Sequence, residues 1–146
     1  GCDQVVWLDA AEHRYVEEMG GMNLYFVYGS GSSARIMTPA LTGTLLPGIT
    51  RDSLLRVAPS LGLPASEGQI SVPHWREACA SGEITEVFAC GTAAVITPVG
   101  AVDGASGGWT IGTGDPGPVT MRLREELIGI QYGHKPDPFG WIHKVA

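Results

Sequence analysis

Apolar positions along this chain fall into short extended runs, interrupted by three segments with helical spacing. Positions 5–8 and 15–18 read as short strands on either side of a polar turn at 9–14. Gly20-Gly21 breaks the second of these, and residues 23–28 (NLYFVY) follow as a strand rich in aromatic and β-branched side chains. Residues 29–33 (GSGSS) form a turn, so that 34–38 pairs back as a hairpin. After a loop at 39–48, a helix is predicted from Arg51 to about Ala58, with Leu54, Leu55 and Ala58 on its buried side and Pro59 and Gly62 ending it early. Ser71 is placed to cap a second short helix at 73–80, whose first turn carries Pro73. Strands are predicted at 86–90 and 95–99, joined by a turn at 91–94, and 103–108 is a small-residue hairpin tip. The longest helix spans 118–131, where Val119, Leu123, Leu127 and Ile130 share one face and Gly133 is the stop. The tail carries Phe139 and Trp141, which predicts that it packs on the body. The whole is a mixed α/β pattern.

Composition narrows the classes. The chain has 146 residues, 44% hydrophobic and 16% charged, which suits one globular domain able to bury roughly 70% of its unfolded surface. A net charge of −6 and nine scattered basic residues argue against a nucleic-acid partner. No apolar run approaches the roughly 18 residues needed to span a bilayer, and the start shows no signal-peptide pattern. Cys2, Cys79 and Cys90 are odd in number and widely spaced, which fits a reducing cytoplasm better than a disulfide framework. The chain starts at Gly1 without a methionine, and a fragment of a longer protein is expected.

Several familiar chemistries can be set aside. Gly29-Ser30-Gly31-Ser32-Ser33-Ala34 follows a strand, as a dinucleotide fingerprint would, but Arg35-Ile36-Met37-Thr38-Pro39 after it favours a strand where the fingerprint needs a helix. The four histidines lack HxxxH spacing, no cysteine pair is spaced CxxC, and no metal site is expected. A G-x-S-x-G nucleophile elbow is absent.

Three other segments carry more. Leu46-Pro47-Gly48-Ile49-Thr50-Arg51-Asp52 turns sharply and opens a helix, and a helix start offers unpaired N–H groups and partial positive charge to an anion, most often phosphate. Glu17-Glu18-Met19-Gly20-Gly21-Met22-Asn23 reads either as a solvated hairpin edge or as a carboxylate aimed at a cationic ring nitrogen. Cys90-Gly91-Thr92-Ala93-Ala94 reads either as an ordinary hairpin turn or as small residues that let an anion approach the backbone, with the Thr92 hydroxyl added.

Taken in this order, the three segments resemble the pyridoxal-phosphate aminotransferases of fold type IV, and within them the branched-chain amino acid aminotransferases. The resemblance runs over essentially the whole chain, and Gly117-Pro118-Val119-Thr120 and Phe139-Gly140-Trp141 support it. It implies the C-terminal part of the large aminotransferase domain, a mixed sheet or pseudo-barrel with flanking helices. It implies that Glu18 binds the pyridine nitrogen, that Ile49 and Thr50 hold the phosphate through backbone N–H groups, and that Thr92 adds its hydroxyl. Thr92 and Ala93 would bind the substrate α-carboxylate through N–H groups. Substrates would be an amino acid and a 2-oxo acid, typically 2-oxoglutarate, and the parent would be a homodimer.

The family's Schiff-base lysine belongs to a Lys-x-Gly-Gly-Asn-Tyr type segment that would lie upstream of Gly1, as would the small N-terminal domain. Lys135 and Lys144 stand in no such motif, so the resemblance implies no catalytic lysine here and no activity of this stretch alone. Mammalian relatives carry Cys-x-x-Cys after the Gly-Thr-Ala turn, where this chain has Ala94 and Thr97. D-amino acid aminotransferases and aminodeoxychorismate lyases share the ring-binding Glu and the phosphate turn. The Met-Asn after the glycines and the run Gly91-Thr92-Ala93-Ala94-Val95-Ile96-Thr97-Pro98 favour the branched-chain class. A non-catalytic module is the reading from a different class.

Overall fold

Strand β3 (Met22–Tyr28) is the spine of the molecule, and from Leu24 to Val27 its residues are wholly buried. The structure, a computed structural model, describes residues 1–145. Along one edge β3 pairs antiparallel with β6 (Ile84–Gly91), from Asn23 opposite Cys90 to Tyr28 opposite Ile84. Its other edge is divided. β2 (Val16–Met19) takes the start, with Glu18 opposite Asn23, and β4 (Arg35–Pro39) takes the end, with Phe26 opposite Met37. Between them the Leu24 carbonyl accepts from the Thr38 hydroxyl at 2.7 Å, so the fork leaves that buried group satisfied.

The remaining strands extend this frame. β1 (Val6–Leu8) flanks β2 antiparallel, β5 (Ala65–Gly68) lies parallel to β4, and β7 (Val95–Pro98) is antiparallel to β6. β8 (Ala101–Val102) and β9 (Trp109–Thr110) form a separate small ribbon. The helices α1 (Ile49–Ser60) and α3 (Pro118–Gln131) cover one face of the sheet, where Leu54, Val57, Leu123 and Leu127 pack on Tyr25, Val27, Phe88 and Cys90. On the other face α2 (Val72–Ser81) sets Trp75 and Ala78 against Leu24, Phe26, Val87 and Ala89. Alternate side chains of a strand point to opposite faces, which is why β3 and β6 are apolar throughout: both their faces are covered. Fully burying a side chain such as Phe88 contributes roughly 2–3 kcal/mol.

The architecture agrees with the mixed α/β class read from the sequence. The 118–131 helix, the Ser71 cap and the β3–β4 hairpin form as expected, with a 3-10 turn at Gly31–Ser33 in the glycine-serine run that rules out a dinucleotide fold there. Phe139 and Trp141 stack with ring centroids 4.3 Å apart and pack on the core below α1 and α3. Most strand and helix ends shift by one or two residues, and both ends of α1 differ in a way that matters. Helix α1 starts at Ile49, not Arg51, and it runs through Pro59 to Ser60. Pro59 lies in the last turn, where its missing N–H removes a single ladder bond and the N–H of Leu61 still reaches Val57 and Ala58. Strand β5 is absent from the sequence reading, and it makes β4–α1–β5 a parallel crossover unit.

Candidate functional site

The fork in the sheet gathers the sequence-derived candidates. Trp7, Glu18, Asn23 and Cys90 are successive cross-strand partners from β1 to β6, and partners directly opposite project to the same face. That face is the one carrying Tyr25, Val27 and the two helices α1 and α3. Glu18 is half-buried there, and among the described residues its carboxylate has no hydrogen-bonding or ionic partner. Glu17, its neighbour, projects to the opposite face and accepts from the Thr44 hydroxyl at 2.6 Å. The Trp7 indole is fixed by donating to the Gly20 carbonyl at 3.0 Å. Gly20 itself sits at φ +57 in the two-residue turn between β2 and β3, a conformation that suits glycine.

Asn23 ties the start of α1 to this row. Its Nδ2 donates to the Leu46 carbonyl at 3.0 Å, and its Oδ1 lies so near Gly48 that a Cβ there would overlap it. The chain therefore needs glycine at the residue preceding α1. Gly48 has no side chain to cap the helix, and no side-chain cap is made. The three helices differ in this respect. α2 is capped by Ser71, whose Oγ accepts from His74 N at 3.3 Å. α3 is capped from the sheet: the buried Glu86 carboxylate accepts from Val119 N at 3.0 Å and Thr120 N at 2.8 Å. Among the described residues, no side chain accepts from the first N–H groups of α1, those of Ile49 and Thr50. They carry the partial positive charge of the helix start and are free to hold an anion. The one acidic residue of that turn, Asp52, is paired with Arg56 at 3.3 Å.

The third segment closes the same end. β6 runs past Cys90 to Gly91, where a Cβ would come 3.3 Å from Met22 Cγ, and the chain turns at Thr92-Ala93-Ala94 into β7. Thr92 and Ala93 are exposed. The turn is closed by Val95 at φ +58, a left-handed conformation that a β-branched residue rarely adopts. Backbone of this kind is held by its surroundings and tends to occur at functional turns. Met22 and Asn23 thus stand between the two anion-binding candidates, with Gly91 against the first and Gly48 against the second. Glu18 is one strand away. Burial pushes the Cys90 thiol up to about 12, so it stays protonated and packs as a core residue.

Other features lie apart from this end. A groove of about 440 Å³ on α3 is lined by Met121, Arg124, Ile128, His134 and Lys135, and none of the candidates borders it. Lys135 Nζ donates to Glu126 Oε2 at 2.6 Å, and that hydrogen bond holds its amine above the ordinary lysine range. A protonated, carboxylate-bound amine is a poor nucleophile. Three contributors escape the sequence reading. For Asn23, read there as a strand start and in the Met-Asn pair that favours the branched-chain class, it is the tie to α1 that escapes. Arg51 has no role in it, although it occupies the apolar stripe of α1 with Leu54 and Ala58, a position where a charge is itself a signal. The left-handed Val95 leaves no signal in the sequence.

Comparison with known proteins gives the same direction. The family model for amino-transferase class IV matches residues 1–102. The chain belongs to the class IV aminotransferases. It is 61% identical over 145 residues to the branched-chain-amino-acid aminotransferase of Mycolicibacterium smegmatis and 59% identical over 146 residues to that of Mycobacterium tuberculosis. These matches cover 99% and 100% of this chain but 39% and 40% of the relatives, so the chain spans about two fifths of their length. Among solved structures, the branched-chain amino acid aminotransferase from Escherichia coli superposes with a TM-score of 0.79 at 36% identity, covering 99% of this chain and 43% of that one. A second solved branched-chain amino acid aminotransferase, complexed with N-(5'-phosphopyridoxyl)-L-glutamate, superposes with a TM-score of 0.78 at 36% identity, covering 97% and 41%. The fold is therefore that of the fold type IV branched-chain aminotransferases. Among the described residues, no helix is long and apolar enough to cross a membrane.

Proposed function

We propose that this chain is the C-terminal part of the large domain of a pyridoxal-phosphate-dependent branched-chain amino acid aminotransferase, and that it supplies one wall of the cofactor pocket. The observation that carries the reading is the uncapped start of α1, held by Asn23 on the face and at the strand end that present Glu18. The groups present fit the cofactor. A doubly charged phosphate matches a helix start without a side-chain acceptor, and a cationic ring nitrogen matches a half-buried carboxylate without a partner. The cofactor, when bound, supplies an aldehyde that takes up the amino nitrogen and a ring that spreads the electron pair left at the α-carbon.

The chain's own residues then have separate tasks. Glu18 accepts from the ring N–H and favours its protonated form, which makes the ring a better electron sink. Ile49 and Thr50 donate their N–H groups to the phosphate, and Thr92 adds its hydroxyl. The N–H groups of Thr92 and Ala93 hold the substrate α-carboxylate, fixing the amino acid at one edge of the ring. The proton-transferring lysine and the small domain come from the remainder of the parent protein. In that protein the amino group of L-leucine, L-isoleucine or L-valine passes to 2-oxoglutarate, in a cytoplasmic homodimer.

The test is transamination by the full-length parent with L-leucine or D-alanine as donor and 2-oxoglutarate as acceptor. Activity with L-leucine is expected. Activity with D-alanine alone would sink the branched-chain reading.

A further inference from the structure

The guanidinium of Arg51 is a charge in the core. It is the third residue of α1, and its side chain is 4% exposed. Nη2 donates to the Pro39 carbonyl at 2.9 Å and also pairs with the half-exposed Glu67 carboxylate. The Arg51 carbonyl accepts from the Tyr25 hydroxyl at 2.7 Å. One residue thereby connects the first turn of α1 to β3, β4 and β5. Its Nε–H is buried with no partner among the described residues, a cost that a core side chain chosen for stability alone would avoid. The contrast with Arg56 is plain: that side chain is mostly exposed, and its pair with Asp52 lies along the helix surface and contributes little.

A buried ion pair seldom adds stability beyond what a well-packed apolar side chain of similar volume gives. What the guanidinium adds is direction. Its Nη2 alone reaches a carbonyl on one strand and a carboxylate on the next, and the planar guanidinium fixes the directions of those two N–H bonds, which a freely rotating ammonium does less well. Direction matters here because the N–H groups of Ile49 and Thr50 belong to the two residues just before Arg51.

We infer that Arg51, with Glu67 as its anchor, is a positioning residue that aims the N–H groups at the start of α1 toward the cofactor phosphate. The inference rests on the pyridoxal-phosphate reading above. It differs from a stabilising role in what it predicts. A residue that only stabilised the fold would change the affinities for pyridoxal phosphate and for pyridoxal, which lacks the phosphate, by the same factor. A positioning residue changes their ratio.

The experiment measures Kd for both compounds in the full-length parent, wild type, Arg51→Met, Arg51→Lys and Glu67→Gln, alongside urea unfolding. Arg51→Met is expected to lower the preference for the phosphorylated compound about tenfold or more, the scale of one lost charge-assisted hydrogen bond. Arg51→Lys and Glu67→Gln are expected to fall between it and wild type. If Arg51→Met does not fold, Glu67→Gln decides, because its site is half-exposed and the Pro39 contact is kept. An unchanged ratio in the folded variants overturns the positioning role. A wild type with no preference for the phosphorylated compound overturns the phosphate cup itself.

Discussion

The side-chain amide of Asn23 donates to the Leu46 carbonyl at 3.0 Å, and this bond joins the start of the central strand to the turn that opens α1. The oxygen of the same amide lies over Gly48. Gly48→Ala is therefore expected to displace either the amide or the turn, costing about 1–3 kcal/mol. Because the displaced segment carries Ile49 and Thr50, the affinity of the full-length protein for pyridoxal phosphate should fall as well. Urea unfolding and a cofactor titration read the two effects. A variant with wild-type cofactor affinity would separate Gly48 from the proposed cup.

Glu86 gives a contrasting case. Its buried carboxylate caps α3, two N–H groups being satisfied at once, and it is not among the proposed site residues. Glu86→Ala leaves both N–H groups without an acceptor and should destabilise the fold by about 1–3 kcal/mol. Denaturant midpoints check the loss. A surviving folded fraction is expected to bind cofactor as tightly as wild type.

Asp9 is an identifiable local source of acid stability. The Asp9 carboxylate accepts from the backbone N–H groups of Tyr15 at 2.7 Å, Arg14 at 2.9 Å and Glu12 at 2.6 Å, and these bonds hold its pKa down to about 2 from the usual 3.8. A carboxylate depressed in the folded state contributes stability that is present above the unfolded value of 3.8 and is lost as pH falls toward about 2. Asp9→Asn should flatten the pH dependence of unfolding across that window. Equal acid sensitivity in the two proteins would place the source elsewhere.

Neither lysine of this chain is placed as the Schiff-base residue. Lys135 is bound to Glu126, and Lys144 is exposed in the tail. Borohydride treatment of the 146-residue chain in the presence of pyridoxal phosphate should trap no phosphopyridoxyl adduct at a defined lysine. Stoichiometric labelling of Lys135 or Lys144, located by peptide mapping, would contradict this.

How much of this is legible in the sequence depends on where the signals are local. α3 can be delimited because Gly117-Pro118 and Gly133 mark its ends and its apolar face repeats at helical spacing. The start of α1 reads two residues late because Ile49 is 80% exposed and contributes nothing to an apolar stripe. β5 is invisible for a related reason. Ser66 and Glu67 are exposed on an edge strand of four residues, held by pairing with β4 across a helix. The site candidates stand out through their local chemistry: a glycine turn before a helix, a carboxylate beside glycines, small residues in a turn. The link between them does not, because it depends on register. Nothing local puts Glu18, Asn23 and Cys90 in one row, and nothing local shows that Asn23 reaches across the fork to Leu46.

The central claim is that Glu18 faces the cofactor ring nitrogen. The most direct measurement is the half-reaction of the full-length protein, loaded with pyridoxal phosphate, with L-leucine in the absence of 2-oxoglutarate, comparing wild type with Glu18→Gln. A fall in the single-turnover rate of about 100-fold or more is expected, with pyridoxal phosphate still bound through the phosphate cup. A Glu18→Gln protein that turns over L-leucine at the wild-type rate would contradict the account.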